Sequence, residues 1–133
     1  MIILDENIIE SQLHLLKRWR IPVHQIGEDV SRKGIQDDEI IPFLLTLRRP
    51  TFFSRDRGFF ERRLCHRQYC LVCLTVEKYT VAIFVRRLLR HPEFETQAKR
   101  MGTVLRVSSR GIQVWRLHTE QESFVSWGLE SVV

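Results

Sequence analysis

The feature that most constrains this chain is an alternation: short apolar runs of strand length are separated by segments whose apolar residues recur at helical spacing. Residues 2–4 are continuously apolar, as a strand buried on both faces must be, and they open onto Asp5 and Glu6. Over residues 7–20, Ile9, Leu13 and Leu16 keep the helical period while Glu10, Lys17 and Arg18 fall elsewhere, and Pro22 closes the helix. Residues 23–26 read as a second strand and 27–34 as a polar, charged loop. Asp37 or Asp38 then caps a second helix with Ile40, Leu44 and Leu47 on one side; Pro42 distorts its first turn and Pro50 ends it. Residues 51–54 and 70–76 supply two more strands. Val81, Val85 and Leu88 line a helix over 80–90, with Arg86, Arg87 and Arg90 off its apolar side.

Strands and helices in alternation imply an α/β fold, a mostly parallel sheet flanked by helices on both faces. After Pro92 the pattern changes. Residues 103–107 and 112–117 are β-branched or alternating runs joined by Ser108, Ser109, Arg110 and Gly111, so a C-terminal β-hairpin is expected at the sheet edge. Residues 118–133 carry Phe124 and Trp127 among polar residues and read as a C-terminal tail without an assigned element. A chain of 133 residues, 44% hydrophobic, sustains one core, here placed in a domain over 1–117.

Lys and Arg number 21 against 16 Asp and Glu, a formal charge of +5, which favours a polyanionic partner such as nucleic acid. A modest positive charge also serves solubility alone. Cys65, Cys70 and Cys73 form an odd set without a second pair for a disulfide framework or four-ligand zinc site. Cys70 and Cys73 have CxxC spacing, but a strand turns them to opposite faces, where free cysteines act as small buried hydrophobes. A reducing, cytoplasmic setting is expected. The N-terminus lacks the basic and long apolar regions of an export signal, and no apolar stretch reaches membrane-spanning length.

In an open α/β sheet, ligands bind outside the carboxyl ends of the strands, where residues distant in sequence share one crevice. Asp5 and Asp56 follow strands, and Asp37, Asp38 and Glu39 reach the same edge if the second helix starts near it. Carboxylates gathered without cationic partners repel, and a divalent cation is the usual compensation. Oxygen ligands select Mg²⁺ or Mn²⁺ over zinc, and such an ion suits phosphodiester hydrolysis. Arg55 and Arg57 flank Asp56 and are candidates for holding a nucleic-acid backbone. Taken singly, each has a plainer role: acids cap helices, and arginines in turns are solvated. The five histidines show no ligand spacing and the six glycines form no phosphate-binding loop.

Taken in order, Leu4, Asp5, Glu6, Asn7, then Asp37, Asp38, Glu39, Ile40, then Ser54, Arg55, Asp56, Arg57, Gly58, Phe59 resemble the PIN-like family related to VapC toxin ribonucleases, over residues 1–115. The resemblance implies a PIN-like three-layer fold and a Mg²⁺- or Mn²⁺-dependent endoribonuclease. Asp5, Asp37 and Asp56 would be its catalytic acids and, with Glu39, its metal ligands. It also implies RNA as substrate, with an antitoxin protein and a second copy of the chain as partners. Gly58 stands where the family often carries a second Asp, which removes one ligand; Glu77, after the fourth strand, is the substitute within the chain. The alternative is a PIN-like module that binds RNA or a partner protein without cutting.

Overall fold

A computed structural model describes residues 1–27 and 37–128, without the side chain of Asp37. Most of the expected 27–34 loop lies outside the described residues. Along the chain come β1 (Ile2–Leu4), α1 (Glu10–Arg18), β2 (Val23–Gln25), α2 (Asp37–Leu44), β3 (Thr51–Ser54), β4 (Cys70–Leu74), α3 (Val81–Arg90), a short α4 (Gln97–Arg100), β5 (Thr103–Ser108), β6 (Gly111–Arg116) and β7 (Ser123–Val125). The strands form one seven-stranded sheet in the order β2-β1-β3-β4-β5-β6-β7. The first five are mutually parallel; β6 and β7 are antiparallel additions.

Side chains alternate across this sheet and build a core on each face. Ile2, Leu4, Phe53, Cys70, Val72 and Leu105 pack with Leu13 and Leu16 of α1 and Val81, Val85 and Leu88 of α3. Ile3, Phe52, Leu71 and Val104 face the other way, against Ile40 and Leu44 of α2. That second face is also covered by the β3–β4 connection, which carries 3-10 turns at Arg57–Phe59 and Arg62–Leu64 and contributes Phe59 and Tyr69. The three-layer α/β arrangement is therefore present.

Several elements differ from expectation for local reasons. Helix α1 starts at Glu10 because Ile9 is extended at its N-cap and Ile8 is buried in the core. Helix α2 begins at Asp37, so the three acids fill its first turn, where the helix dipole favours negative charge, and it stops at Leu44. The hairpin does not end the sheet: β7, within the segment read as a tail, pairs with β6 and takes the outer edge, and Trp127 beyond it is buried against Phe84. Both CxxC cysteines are buried free thiols, as expected of small hydrophobes. Among the described residues no helix is long and apolar enough to cross a membrane.

One buried polar contact joins the two helices of the first face. Thr80 makes no side-chain cap for α3; Gln12 of α1, itself 5% exposed, supplies the acceptor instead, its Oε1 taking the Ala82 N–H at 2.8 Å. A buried donor left without its acceptor costs about 1–3 kcal/mol. Gln12→Leu is therefore expected to lower unfolding free energy by about that amount in urea titration, while Gln12→Glu, which keeps an acceptor, loses less.

Candidate functional site

The strand order reverses at β1: the chain moves to one side to form β2 and returns to the other to form β3. At such a point the loops leaving two neighbouring parallel strands diverge and leave a crevice at their carboxyl ends. Asp5 and Asp56 lie there. Leu4 pairs with Phe53, and the Asp5 N–H donates to the Phe53 carbonyl at 2.9 Å, so Asp5 comes beside buried Ser54. The Ser54 hydroxyl donates to Asp5 Oδ2 at 2.7 Å and accepts the Asp56 N–H at 3.0 Å. One hydroxyl thus links both acidic loops. Asp56 Oδ1 accepts the Gly58 N–H at 2.8 Å, opening the Arg57–Phe59 turn. From β2, Gln25 Nε2 donates to the carbonyls of Ile8 (2.9 Å) and Asp5 (3.3 Å) and holds the first loop down.

Burial pushes the Asp5 carboxyl above its ordinary range; hydrogen bonds from Ser54 and the Glu6 amide oppose this, and the negative charges of Glu6 and Asp56 add to it. The same face carries a row of side chains across four strands, Asp5 beside Ser54, Ser54 opposite Cys73, and Cys73 opposite Arg106. Burial raises the Cys73 thiol to about 11, with the charges of Arg106, Asp56 and Arg57 acting on it as well. Its Sγ donates to the Asp56 carbonyl at 3.4 Å. A neutral thiol is neither nucleophile nor metal ligand at physiological pH.

Asp38, in the first turn of α2, lines a hollow of about 470 Å³ together with Asp56, Gly58, Phe59 and Arg63. The structure therefore joins Asp5 to Asp56 and brings Asp38 to the Asp56 hollow; Glu39 does not line it, and the Asp37 side chain lies outside the described residues. Arg55 Nε donates to the Val76 carbonyl at 3.3 Å, tying its turn to the end of β4, and Arg57 is exposed. Glu77 accepts the Tyr79 N–H at 2.9 Å and caps a 3-10 turn, a local structural role. Among the described residues, no three His, Cys, Asp or Glu side chains form a group that could hold a metal ion. The donor chemistry, carboxylate oxygen beside a neutral thiol, fits a hard cation, and two linked carboxylates are fewer protein ligands than the family pattern supplies.

Ser54 and Arg106 were not singled out from sequence. The available signal was strand alternation: Ile3 and Asp5, Phe52 and Ser54, Val104 and Arg106 share the α2 side, so three polar side chains follow apolar ones along one face. Comparison with protein families, curated proteins and solved structures finds no match to this chain.

Because Asp5 holds its proton to higher pH when folded than when unfolded, stability falls as pH rises from the ordinary carboxylate value through the folded one, and stays lower above it. Asp5→Asn removes this charge. In metal-free buffer near neutral pH its melting temperature should exceed that of the wild type, and that portion of the pH dependence should flatten. Scanning calorimetry across acidic to neutral pH checks both; a lower Tm at every pH would contradict the uncompensated charge.

Proposed function

We propose that this chain is a PIN-like, VapC-type ribonuclease that hydrolyses RNA phosphodiesters with Mg²⁺ or Mn²⁺ held by Asp5, Asp37 and Asp56, with an antitoxin protein and a second copy of the chain as partners. The observation that carries this reading is the Ser54 hydroxyl, which links the acids following β1 and β3 where the strand order reverses. The acids also stand in the family's order, and the chain's charge of +5 suits a polyanionic substrate.

The cation supplies Lewis acidity and an attacking water of lowered pKa when bound. The chain's own residues provide orientation and charge. Ser54 fixes the Asp5 carboxylate, and the Gly58 amide fixes that of Asp56. Arg57 and Arg106 bring positive charge to the same row of the sheet, where guanidinium groups pair with phosphate oxygens. Attack of water oxygen on phosphorus with rupture of the bond to the 3′ oxygen leaves a 5′-phosphate and a 3′-hydroxyl. A PIN-like module that binds RNA or a partner without cutting is the second reading, favoured by Gly58 and by the lack of a three-ligand group among the described residues.

Mn²⁺ is expected to raise the Tm of the wild type by mass action and to leave the Asp5→Asn, Asp56→Asn double variant unchanged. RNA incubated with Mn²⁺ should yield 5′-phosphate products, and Asp56→Asn should abolish them. Metal binding without cleavage of several RNAs would select the second reading. Gly58 is not in the left-handed region, so the backbone accepts Asp there; its Cβ would meet Asp56 Oδ1 at 3.2 Å, which that carboxylate relieves by a small shift. Gly58→Asp is accordingly expected to fold and, as an added ligand, to raise the cleavage rate.

A further inference from the structure

The hollow beside Asp56 lies between two elements that pack on the same face of the sheet. From α2 come Asp38 and Ile41, which at three-residue spacing share one side of the helix. From the β3–β4 connection come Phe59, Arg63 and Leu64. Ile41 and Leu64 are half-buried against the core of that face, and Phe59, 5% exposed, is held edge-on to Phe52 with ring centres 5.4 Å apart. The connection is tied down along this wall. The Gly58 N–H donates to Asp56 Oδ1 at 2.8 Å, the Leu64 N–H to the Glu61 carbonyl at 3.0 Å, and the Tyr69 hydroxyl to the Leu64 carbonyl.

Apolar walls alone would take any nonpolar group; the charged ones narrow the choice. Asp38 and Arg63 both line the hollow, yet they do not pair with each other, and Arg63 Nε turns to Glu61 instead. That exposed pair contributes little and engages only Nε, so the two Nη groups at the end of the guanidinium keep their N–H donors for another acceptor. An acceptor on one wall, donors on the other and apolar surface between them suit a flat heterocycle that carries both kinds of hydrogen-bonding edge. Asp56 lines the same hollow, so such a ring belongs to a nucleotide beside the phosphodiester at Asp5 and Asp56; the volume of about 470 Å³ lies in the range of small-molecule sites. Guanine makes the most of these walls. Its N1–H and 2-amino group lie side by side and give a carboxylate two donors, while O6 and N7 give a guanidinium two acceptors. No other RNA base offers two contacts to both.

We propose that the hollow between α2 and the β3–β4 connection is a guanine-binding subsite that selects where along an RNA strand the acids are placed; the assignment rests on the nuclease reading above. The Asp38 carboxylate accepts the N1–H and the 2-amino group, the Arg63 Nη groups donate to O6 and N7, and Ile41, Phe59 and Leu64 cover the ring. Asp38 and Arg63 are specificity residues, not catalytic ones.

The test is the affinity of the full chain for short fluorescent oligouridylates that carry G, A, C or U at the centre, measured by anisotropy in EDTA, where metal-dependent cutting is suppressed. The G-centred strand is expected to bind about tenfold tighter than the other three, within the discrimination that a bidentate pair gives. Inosine, which lacks the 2-amino group, and 7-deazaguanosine, which lacks N7, should each lose most of that gain. Asp38→Ala should bind the guanosine and inosine strands alike, and Arg63→Ala the guanosine and 7-deazaguanosine strands alike, a coupling of side chain to base atom that a general loss of charge or of fold does not produce. Both positions are exposed, and Arg62→Gln, beside Arg63 but outside this hollow, removes equal charge and should keep the preference for G. Equal affinity for the four strands, binding of none of them, preference for another base, or a G preference that survives in Asp38→Ala and Arg63→Ala overturns the subsite. The nuclease reading is decided separately in Mn²⁺. G-dependent binding without cleavage sinks that reading alone, and cleavage indifferent to the neighbouring base sinks the subsite alone.

Discussion

Strand β1 is only three residues long, yet it is paired on both sides and covered on both faces, with Ile2, Ile3 and Leu4 all buried. The chain leaves it toward β2 by way of α1 on one face, and returns past it to β3 by way of α2 on the other. This reversal makes the crevice. Had β3 been laid beyond β2, Asp5 and Asp56 would end strands that do not touch, and Ser54 could not reach the Asp5 carboxylate. The hydroxyl contact is a consequence of strand order, and it in turn fixes where both acidic loops point.

That crevice holds two linked acids, and the cations near it, Arg57, Arg63 and Arg106, belong to the β3–β4 connection and to β5. Asp5 is shifted upward by burial and by Glu6 and Asp56, and hydrogen bonds from Ser54 and the Glu6 amide relieve only part of the cost. A protein built for stability alone gains nothing from a half-buried acid held beside another acid. Positive charges stand along the same face, Arg106 within the polar row and Arg62 and Arg63 on the β3–β4 connection, whereas Arg116 lies on the α1/α3 face over Phe94.

The α/β layering was legible because each parallel strand is a continuous apolar run between one-faced helical segments. Strand β3 ends at Ser54 as read, since Arg55 and Asp56 interrupt the apolar run. Asp5 and Asp56 could be assigned to the sheet's carboxyl edge because that inference needs only strand direction. What the sequence could not supply was lateral order, and therefore that β1 and β3 are neighbours and that Ser54 bridges their loops. Strand β7 escaped for a different reason: it is three residues long, its Phe124 is 59% exposed, and within it only Val125 packs on the core, too little for a period to be read. Helix α4 is four residues long and capped by Thr96, whose hydroxyl accepts the Lys99 N–H, too short for periodicity to appear.

The change of strand direction between β5 and β6 decides at which edge of the sheet the residues that follow β6 emerge. Residues that follow parallel strands emerge together at the carboxyl edge, as Asp5 and Asp56 do. Strand β6 runs the other way, with Thr103 opposite Arg116 and Ser108 opposite Gly111, so Arg116 and His118 leave the sheet at the edge where β5 begins. The β3–β4 connection must in turn travel from the carboxyl end of β3 to the start of β4, and it crosses the α2 face of the sheet on the way. Arg63 borders the acidic hollow because the connection that carries it makes that crossing.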